Sequence, residues 1–534
     1  MHFDLVIRAG TVVTGNSDPS RLGDIGISAG KIATIADAGA LDGKDMIDAQ
    51  GRIVTPGFID IHSHADYTVL LDGRAHSAVM QGVTSLVVGN CGLGIAPVSP
   101  VSAGIIAGNA PGWRRDGGLE LTWSSFQEYM TKLASSGVGP NVFPLIAHGA
   151  MRMAVAGFED RPLTADEIAQ MQAFLKDAMK MGAVGFSTGL EYAPGISSST
   201  DELIALAEAM RGFDGIYATH CRNRSDRMVE ATREAIAVAR SGQTRLQLSH
   251  FIKRPYADPA VSGHVWAEIK RARGDGMTVL ADVFPFDYGP TPLSVLLPPS
   301  MLSEAGDNVG KTLADPDFRT KVLSSLDGMF GAAVESGLAE SMFVACDGAD
   351  GRMHGKTLPE IAEAQGMSVA EAAYWLLERA GDNFQTVMIV EHWVLWKDLV
   401  SALSDPSFLI MGDGATSVLD GPGSQFDMCP SDWGYAPRFL SQFVRDMGLC
   451  TIEQAVARMA SGPAQQLGLR DRGVIEIGMQ ADLVVFDLAK VGTRVSPRSL
   501  RELPTGIGDV LVNGVPVVRN GEATNALPGT VGRR

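Results

Sequence analysis

The sequence predicts an α/β protein: a (β/α)8 TIM barrel that carries a small β-sandwich domain built from both termini. Two observations support this fold class. The middle of the 534-residue chain alternates short apolar runs with longer amphipathic segments, which is typical of parallel strands followed by helices. The two ends are instead rich in short β-like runs broken by Gly, Asn and Asp. One large barrel with a smaller appended domain also suits a chain of this length.

The terminal segments predict strands and a hairpin. Residues 1–56 contain apolar runs such as residues 5–7, with no helical periodicity. Residues 468–534 contain two apolar runs on either side of Asn513-Gly514, a dipeptide typical of a tight hairpin turn. Because chain termini often lie close together, we expect residues 1–56 and 468–534 to form one small β-domain.

Eight apolar runs in the middle of the chain predict the barrel strands. They lie at residues 58–62, 84–89, 142–147, 183–187, 216–220, 245–250, 278–284 and 408–412. Amphipathic segments between them predict helices, one of which begins at the capping box Thr164–Glu167 and ends at Gly182. Eight strands alternating with helices predict a barrel domain over residues 57–467. Residues 285–407 interrupt this alternation and predict an insertion or lid within the barrel domain.

Composition excludes some classes of protein. The net charge of -17 argues against a nucleic-acid-binding or anionic-membrane surface, because both need basic patches. Five cysteines without C-x-x-C spacing are typical of a reducing compartment. No apolar run is long enough to span a membrane. We therefore expect a cytoplasmic protein, and the sequence gives no indication of its oligomeric state.

Potential metal ligands recur where the predicted strands end. They are His62, His64, Cys91, His220, His250 and Asp413. A bare H-x-H pair is more often two ordinary polar histidines, but on a strand its members point to the same face. Joint placement of all six side chains at one rim of a barrel is difficult to attribute to chance, since barrel active sites lie at the carboxyl ends of the strands. Imidazole, thiolate and carboxylate together suit zinc, so the sequence predicts Zn²⁺ as the cofactor.

Such a site predicts hydrolysis of a small-molecule amide. Bound zinc lowers the pKa of a water toward 7 and polarises the carbonyl that the resulting hydroxide attacks. Asp413 is placed to take the proton of the water and to pass it to the leaving nitrogen. The expected activity is therefore hydrolysis of a carbonyl C–N bond.

This set of ligands resembles that of the amidohydrolase superfamily. Most two-metal members bridge their ions with a carbamylated lysine on the fourth strand, but residues 183–187 contain no lysine. Cys91 follows the second strand instead, which resembles the N-acyl-D-amino-acid deacylase (D-aminoacylase) branch, where a cysteine replaces that lysine. Further stretches similar to this branch are residues 185–192, 248–253 and 508–514.

The resemblance implies cleavage of a C–N amide bond other than a peptide bond, and it implies roles for individual residues. It implies a tightly bound zinc ion held by Cys91, His220 and His250. It implies a second, weaker position bordered by His62, His64 and Asp413, and therefore one or two zinc ions. Tyr192 and Lys253 match positions that contact the substrate in the branch, and the alternative for both is a structural role.

Two stretches that bind the substrate carboxylate in this branch are altered. Its Tyr-Pro-Tyr stretch corresponds here to Phe284-Pro285-Phe286, and Ser431 stands in place of an arginine. Serine cannot replace the two-pronged guanidinium that pairs with a carboxylate. We therefore expect an intact hydrolytic centre and an amide substrate that need not be a simple N-acyl-D-amino acid. The other arginines considered as a clamp are Arg222, Arg224, Arg352 and Arg438.

Three alternative interpretations remain at this point. Residues 185–189 satisfy G-x-S-x-G, the nucleophile elbow of serine hydrolases, although the residues that follow make a poor helix start. A cyclic-amide hydrolase, such as a hydantoinase or dihydroorotase, is disfavoured by the missing lysine. A non-catalytic metal-binding barrel is the alternative from another class.

Overall fold

The computed structural model describes residues 2–16, 18–104, 106, 120–297, 299–305, 309–335, 337–424 and 426–532. In chain order the strands are β1 (Phe3–Val12), β2 (Arg21–Ser28), β3 (Lys31–Ala36), β4 (Gly43–Asp48), β5 (Ile53–Pro56), β6 (Phe58–Asp60), β7 (Val83–Val88), β8 (Asn141–Pro144), β9 (Ile146–Ala147), β10 (Gly185–Gly189), β11 (Ile216–His220), β12 (Arg245–Leu248), β13 (Val279–Val283), β14 (Tyr288–Pro292), β15 (Phe343–Asp347), β16 (Val387–His392), β17 (Phe408–Ile410), β18 (Leu483–Phe486), β19 (Ile507–Val512), β20 (Val515–Arg519) and β21 (Glu522–Ala523).

Helices follow most of the strands of the central region. The α-helices are Thr68–Leu71, His76–Val79, Phe126–Ser136, His148–Ala156, Ala165–Lys180, Thr200–Ala209, Met228–Gly242, Val261–Gly274, Pro299–Ala305, Val309–Leu313, Pro316–Glu335, Leu358–Gln365, Val369–Ala380, Trp396–Ser404, Ser431–Arg438, Ile452–Met459 and Ser461–Leu467, and a π-helix spans Phe439–Asp446. The capping box predicted at Thr164 is confirmed, since its side chain accepts from the Glu167 amide while Glu167 caps the Thr164 amide in return.

Strands from both ends of the chain form one nine-stranded sheet. The strand order is β21-β20-β19-β18-β5-β1-β2-β3, with β4 paired to β1. Alternate apolar side chains of these strands, such as Leu5, Ile25 and Leu483, pack into a core separate from that of the barrel. The predicted hairpin is confirmed: Asn513 and Gly514 join β19 to antiparallel β20, both with positive φ, as a tight two-residue turn requires.

Parallel strands close the barrel. One sheet has the order β17-β13-β12-β11-β10-β9 and another has the order β6-β7-β8, and only Leu145 separates β8 from β9. Backbone hydrogen bonds from Asp413 to His62 (2.9 Å) and from His64 to Gly414 (2.7 Å) join the two remaining edges. With β8 and β9 counted as one interrupted strand, the predicted eight-stranded barrel is confirmed.

The predicted strand bounds differ from the structure by at most two residues, and the run at 216–220 coincides with β11. The run at 183–187 is displaced, since β10 is Gly185–Gly189, because Ala183 and Val184 are buried without belonging to the strand. The run at 245–250 is too long, because β12 ends at Leu248 and His250 already has φ 36°. Apolar runs thus located the buried segments more accurately than the ends of the hydrogen-bonded ladder.

The predicted insertion, residues 285–407, contains its own three-stranded sheet of order β14-β16-β15 and several helices. Side chains from this region, among them Val295, Leu297 and Met388, line the cavity above the barrel. Within the described ranges, no helix is both long and apolar enough to cross a membrane. Cytoplasmic location stays a prediction.

A buried polar network joins the β-domain to the barrel. The Asp482 carboxylate, just before β18, accepts hydrogen bonds from the Arg472 guanidinium (2.6 Å), the Asn141 side chain at the start of β8 (3.1 Å) and the Asn513 amide (2.6 Å). Asp482 is buried, and only 3% of the Arg472 side chain is exposed. Buried charges in such a position depend on one another, since an unpaired charge cannot be hydrated there.

We expect Asp482→Ala to lower the free energy of unfolding by about 3 kcal/mol or more, because it leaves Arg472 with a weakened counter-charge and Asn513 with an unsatisfied amide. Urea denaturation monitored by tryptophan fluorescence measures the change. Asp45→Ala is the matched control: Asp45 forms an exposed ion pair with Arg519, and we expect a change of about 0.5 kcal/mol or less. Equal denaturation midpoints for the two variants would contradict a structural role of this network.

Candidate metal centre

A cavity of about 780 Å³ opens at the carboxyl ends of the barrel strands. The predicted ligands His64, Cys91, His220, His250 and Asp413 all line it. His62 lies beneath them and is fully buried. The structure therefore brings all six predicted metal-ligand residues to one place, although they are spread over more than 350 positions of the sequence.

The first group of potential ligands contains His62, His64, Cys91 and Asp413, and it offers ligand atoms that all lie within 4.8 Å of one another. One oxygen of Asp413 lies 3.2 Å from Nε2 of His62 and 3.2 Å from Nε2 of His64. Sγ of Cys91 lies 3.2 Å from the same Nε2 of His62. These donors therefore converge on one point from strands β6, β7 and β17.

The second group consists of Cys91, His220 and His250, again with ligand atoms within 4.8 Å of one another. Sγ of Cys91 lies 3.4 Å from Nε2 of His250, and the rings of His220 and His250 meet edge to face with centroids 4.5 Å apart. Cys91 belongs to both groups. Its thiolate would therefore be available to a metal ion held by either group.

Three of these residues have an unusual backbone conformation. Cys91, His250 and Asp413 have φ of 53°, 36° and 54°, in the left-handed region that costs a residue with a side chain of the order of 1–2 kcal/mol. Each lies within three residues of a strand end, where the chain turns sharply across the barrel rim. Such strain persists only where surrounding contacts enforce it, and it often marks a functional site.

A close approach between two loops holds Cys91 in position. A Cβ atom at Gly189 would lie 2.1 Å from the Cys91 carbonyl oxygen, so β10 can approach this turn only with glycine there. The Tyr192 hydroxyl donates a 2.6 Å hydrogen bond to the same carbonyl, and the Tyr192 ring packs edge to face against His220. Tyr192 also lines the cavity, where it was predicted to contact the substrate. That contact stays a prediction.

The electrostatic environment favours anionic Cys91 and Asp413. Burial alone would raise the pKa of the Cys91 thiol, but the charge of the His62 imidazole, together with hydrogen bonds from neighbouring imidazoles, outweighs it and holds this pKa well below its usual value. At Asp413 the charge of His62 and the hydrogen bonds from His62 and His64 likewise outweigh burial and hold the pKa of the carboxyl well below its usual value. Burial, followed by the charge of Arg224, lowers the pKa of His250 to about 4, which leaves its imidazole neutral.

These residues fit zinc. Two anions buried beside neutral and cationic imidazoles form a donor set of nitrogen, sulfur and oxygen, for which a borderline-soft divalent cation is the natural counter-charge. In addition, Nδ1 of His64 is buried and has no hydrogen-bond partner among the described residues. Buried polar atoms of this kind usually have a partner, so this one is consistent with a ligand position.

Two carboxylates behind the ligands were missed in the sequence. Glu191 accepts a 2.7 Å hydrogen bond from Nε2 of His220, and Asp282 lies 3.5 Å from Nδ1 of His62 and also accepts from the His250 amide. Carboxylates in such positions orient imidazole ligands. A signal existed for Asp282, because it is a charge inside the apolar run 278–284. Glu191 stands in a loop, where a carboxylate is ordinary and gives no signal.

The prediction that Lys253 contacts substrate receives no support from the geometry. Its ammonium group is buried and forms a 2.7 Å ion pair with Asp398, and the neighbouring Arg254 lines the cavity instead. Ser431, which replaces the arginine of the resembling branch, is buried against the Cys429 thiol away from the cavity. Phe284 does line the cavity and presents an apolar surface there.

The serine-nucleophile alternative does not fit the structure. Ser187 is fully buried on β10, donates to the Gly89 carbonyl and accepts a 3.0 Å hydrogen bond from the Gly92 amide. A nucleophile elbow needs its serine exposed at a strand-to-helix turn. Ser187 instead ties β10 to the turn that carries Cys91.

Known proteins resemble this chain over its whole length. The profile of the amidohydrolase family matches residues 45–518. An N-acyl-D-glutamate deacylase of Alcaligenes xylosoxydans xylosoxydans is 30% identical over 536 residues, covering 100% of this chain and 97% of the relative.

Two solved structures extend the comparison, and each covers 100% of both chains. A D-aminoacylase described in terms of its binuclear metal center, with one-metal activation and second-metal attenuation, is 28% identical with a TM-score of 0.82. The N-acyl-D-glutamate deacylase of Bordetella bronchiseptica, complexed with zinc and a phosphonate that mimics the tetrahedral intermediate, is 28% identical with a TM-score of 0.81.

Proposed function

We propose that this chain, which belongs to the amidohydrolase family, is a zinc-dependent hydrolase that cleaves the amide bond of an N-acylated amino compound. The observation that carries the proposal is the convergence of four imidazoles, one thiolate and one carboxylate at the floor of a cavity on the barrel rim. Full-length similarity to N-acyl-D-amino-acid deacylases supports the same reaction class.

The residues have distinct roles. Cys91, His220 and His250 would hold the first zinc ion, and His62, His64 and Asp413 would border a second position. Zinc bound there lowers the pKa of a water toward 7 and polarises the amide carbonyl. Glu191 keeps His220 oriented through its hydrogen bond to Nε2, and the Asp282 carboxylate lies 3.5 Å from Nδ1 of His62, where its negative charge favours the same ring orientation.

Asp413 moves the proton. Its Oδ1 lies 3.2 Å from the imidazoles of His62 and His64, which hold the carboxylate in a fixed orientation while it lines the cavity. From this position it accepts a proton as water adds to the carbonyl carbon, and it returns that proton to nitrogen as the C–N bond breaks. The products are a carboxylic acid and a free amine.

The remaining alternatives are less well supported. A cyclic-amide hydrolase of the same superfamily would be expected to carry a bridging lysine, and β10, Gly185–Gly189, has none. A non-catalytic metal-binding barrel is disfavoured by the full-length similarity to N-acyl-D-amino-acid deacylases. Its test is purified zinc-loaded protein assayed against several classes of amide.

Metal removal tests the zinc requirement. We expect dialysis against a chelator to abolish acetate release from N-acetyl amino acids, and about one equivalent of Zn²⁺ per chain to restore it, because deprotonated Cys, His and Asp donors bind zinc as part of the folded site. Zinc content by mass spectrometry and far-UV circular dichroism are recorded on the same samples, so that unfolding is distinguished from metal loss. Full activity in folded, zinc-free protein would refute the proposal.

A further inference from the structure

The cavity wall next to the candidate metal centre is rich in arginine. Four arginines line it, together with apolar side chains contributed by the 285–407 region. They are Arg222, Arg224, Arg227 and Arg254. Two of the arginines considered from the sequence lie elsewhere: Arg352 is exposed and pairs with Asp350, and Arg438 stacks on the Phe286 ring beside Asp287.

Two of the four are committed to protein groups. The Arg222 guanidinium binds both carboxylate oxygens of Glu234 at 3.0–3.3 Å and also donates to two backbone carbonyls. Arg224 is buried, donates to Nδ1 of His250 at 3.0 Å and pairs with Glu191 at 3.2 Å. Among the described residues, Arg224 leaves only its Nε without a partner, and that atom is buried. All the other side-chain nitrogens of Arg222 and Arg224 already donate to protein groups, so neither guanidinium presents a free pair of nitrogens to a ligand.

Arg254 differs from both. Within the part of the chain that the structure describes, its side chain makes one hydrogen bond, at 3.4 Å, to Glu191. That carboxylate is already shared with Arg224 and His220. Burial, followed by the charge of Arg224, lowers the pKa of the Arg254 guanidinium, whereas Glu191 and Glu391 raise it. The Arg254 side chain is 19% exposed, so the guanidinium is mostly shielded from water, while it lies beside another cation and is only partly neutralised.

A largely buried guanidinium with unused donors calls for an anion that completes its pairing. Oε2 of Glu191 contacts both Nε2 of His220 and Nη2 of Arg254. Arg254 therefore shares a carboxylate oxygen with His220, which is a candidate zinc ligand. In an N-acyl amino acid, only the amide nitrogen and Cα separate the scissile carbonyl carbon from the carboxylate carbon. A substrate whose carbonyl lies at the metal centre can therefore reach Arg254 with its carboxylate.

We propose that Arg254 binds the α-carboxylate of an N-acyl amino acid and thereby determines the substrate class. It takes over the carboxylate binding that the changes at Phe284 and Ser431 remove. This inference rests on the proposed amide hydrolysis. It revises the expectation drawn from Ser431, because the lost arginine is replaced by one that follows β12 rather than β17.

The test compares a carboxylate with its neutral isostere. The probes are both enantiomers of N-acetyl-leucine and of N-acetyl-leucinamide, with zinc-loaded enzyme and acetate release as the readout. We expect the wild type to prefer the carboxylate, and Arg254→Met to lower kcat/KM for N-acetyl-leucine by about 10- to 100-fold, mainly through KM, because the variant loses a charge-assisted hydrogen-bonded pair. Turnover of the carboxamide should change by no more than about 3-fold.

Two variants serve as controls. Arg227→Met removes one positive charge from the same wall, but Arg227 is exposed, so we expect it to alter the carboxylate preference by no more than about 3-fold. Arg254→Lys keeps the charge without the fork and should recover only part of the preference. Equal carboxylate-to-carboxamide ratios in wild type and Arg254→Met would overturn the inference, as would equal losses in Arg227→Met and Arg254→Met.

A binding measurement separates this inference from the reaction itself. Calorimetry with zinc-loaded Asp413→Asn protein, with and without Arg254→Met, measures recognition of N-acetyl-leucine without turnover. If the wild type hydrolyses neither probe, the proposed function fails, and the calorimetric comparison still decides the role of Arg254. Tighter binding of the carboxylate that disappears with Arg254→Met supports the inference, and binding that does not depend on Arg254 refutes it.

Discussion

Replacing Asp413 with asparagine is expected to lower kcat for amide hydrolysis by about 10²- to 10⁴-fold, the usual contribution of a general acid–base group. The substitution keeps the size and shape of the side chain but removes its ability to accept the proton of water and return it to the leaving nitrogen. Because Cys91, His220 and His250 form a ligand group without Asp413, the variant should still bind zinc. Steady-state kinetics and zinc analysis on the same preparation measure both properties.

Asp420→Asn is the matched control for this prediction. Asp420 lies near the same rim, in an exposed ion pair with Arg74, and its substitution should leave kcat within about 2-fold of the wild type. Loss of zinc from Asp413→Asn would show that Asp413 acts mainly as a ligand. A wild-type kcat in the zinc-loaded Asp413→Asn variant would show that Asp413 has no role in proton transfer.

The parts of the site that could be predicted from the sequence are those fixed by strand geometry. His220 is the last residue of β11, and His62 and His250 follow β6 and β12 by two residues. In a parallel barrel all strands end at the same rim, so side chains at these positions must converge wherever they stand in the chain. The apolar runs located the strands closely enough for this argument, even where their bounds were wrong by two residues.

The parts that could not be predicted depend on loops. Beyond the end of a strand, the alternation of side chains no longer fixes direction, and a shift of one residue exchanges a buried side chain for one that faces the cavity. Lys253 and Arg254 show this: the first pairs with Asp398 away from the cavity, and the second lines it. The role of Glu191 likewise depends on three partners that come from β11 and from the loops after β11 and β12.

The spacing of the motif was also insufficient to predict the role of Ser187. The G-x-S-x-G pattern is satisfied in the sequence, but the pattern contains no information on burial. In the structure the hydroxyl is enclosed and hydrogen-bonded to the turn that carries Cys91. The glycines of the pattern have another explanation, since Gly189 is required by its close approach to the Cys91 carbonyl. Ser187 and Gly189 thus hold the turn that carries the candidate metal ligand Cys91, and Ser187 is not a nucleophile.

Cys91→Ala is expected to have the largest effect on metal binding, because Cys91 is the one residue common to both ligand groups of the described chain. Removing its thiolate takes one negative charge from the donor set and leaves four imidazoles and the Asp413 carboxylate. Loss of a residue that only orients a ligand already costs about 10- to 100-fold in metal affinity, and loss of a ligand should exceed about 100-fold. Competition with a chromophoric zinc chelator measures the affinity.

Cys221→Ala is the matched control, since Cys221 is also buried and adjoins His220 in the sequence. Burial raises the pKa of its thiol, so it remains protonated and is a poor metal ligand. We expect this variant to keep wild-type zinc affinity, and zinc to raise its melting temperature as much as it raises that of the wild type. Zinc should stabilise Cys91→Ala far less, because a ligand stabilises a fold only in proportion to its affinity for the native state. Equal zinc-dependent stabilisation of the two variants would place the ion away from Cys91, and the ligand set would then have to be built from the histidines and Asp413.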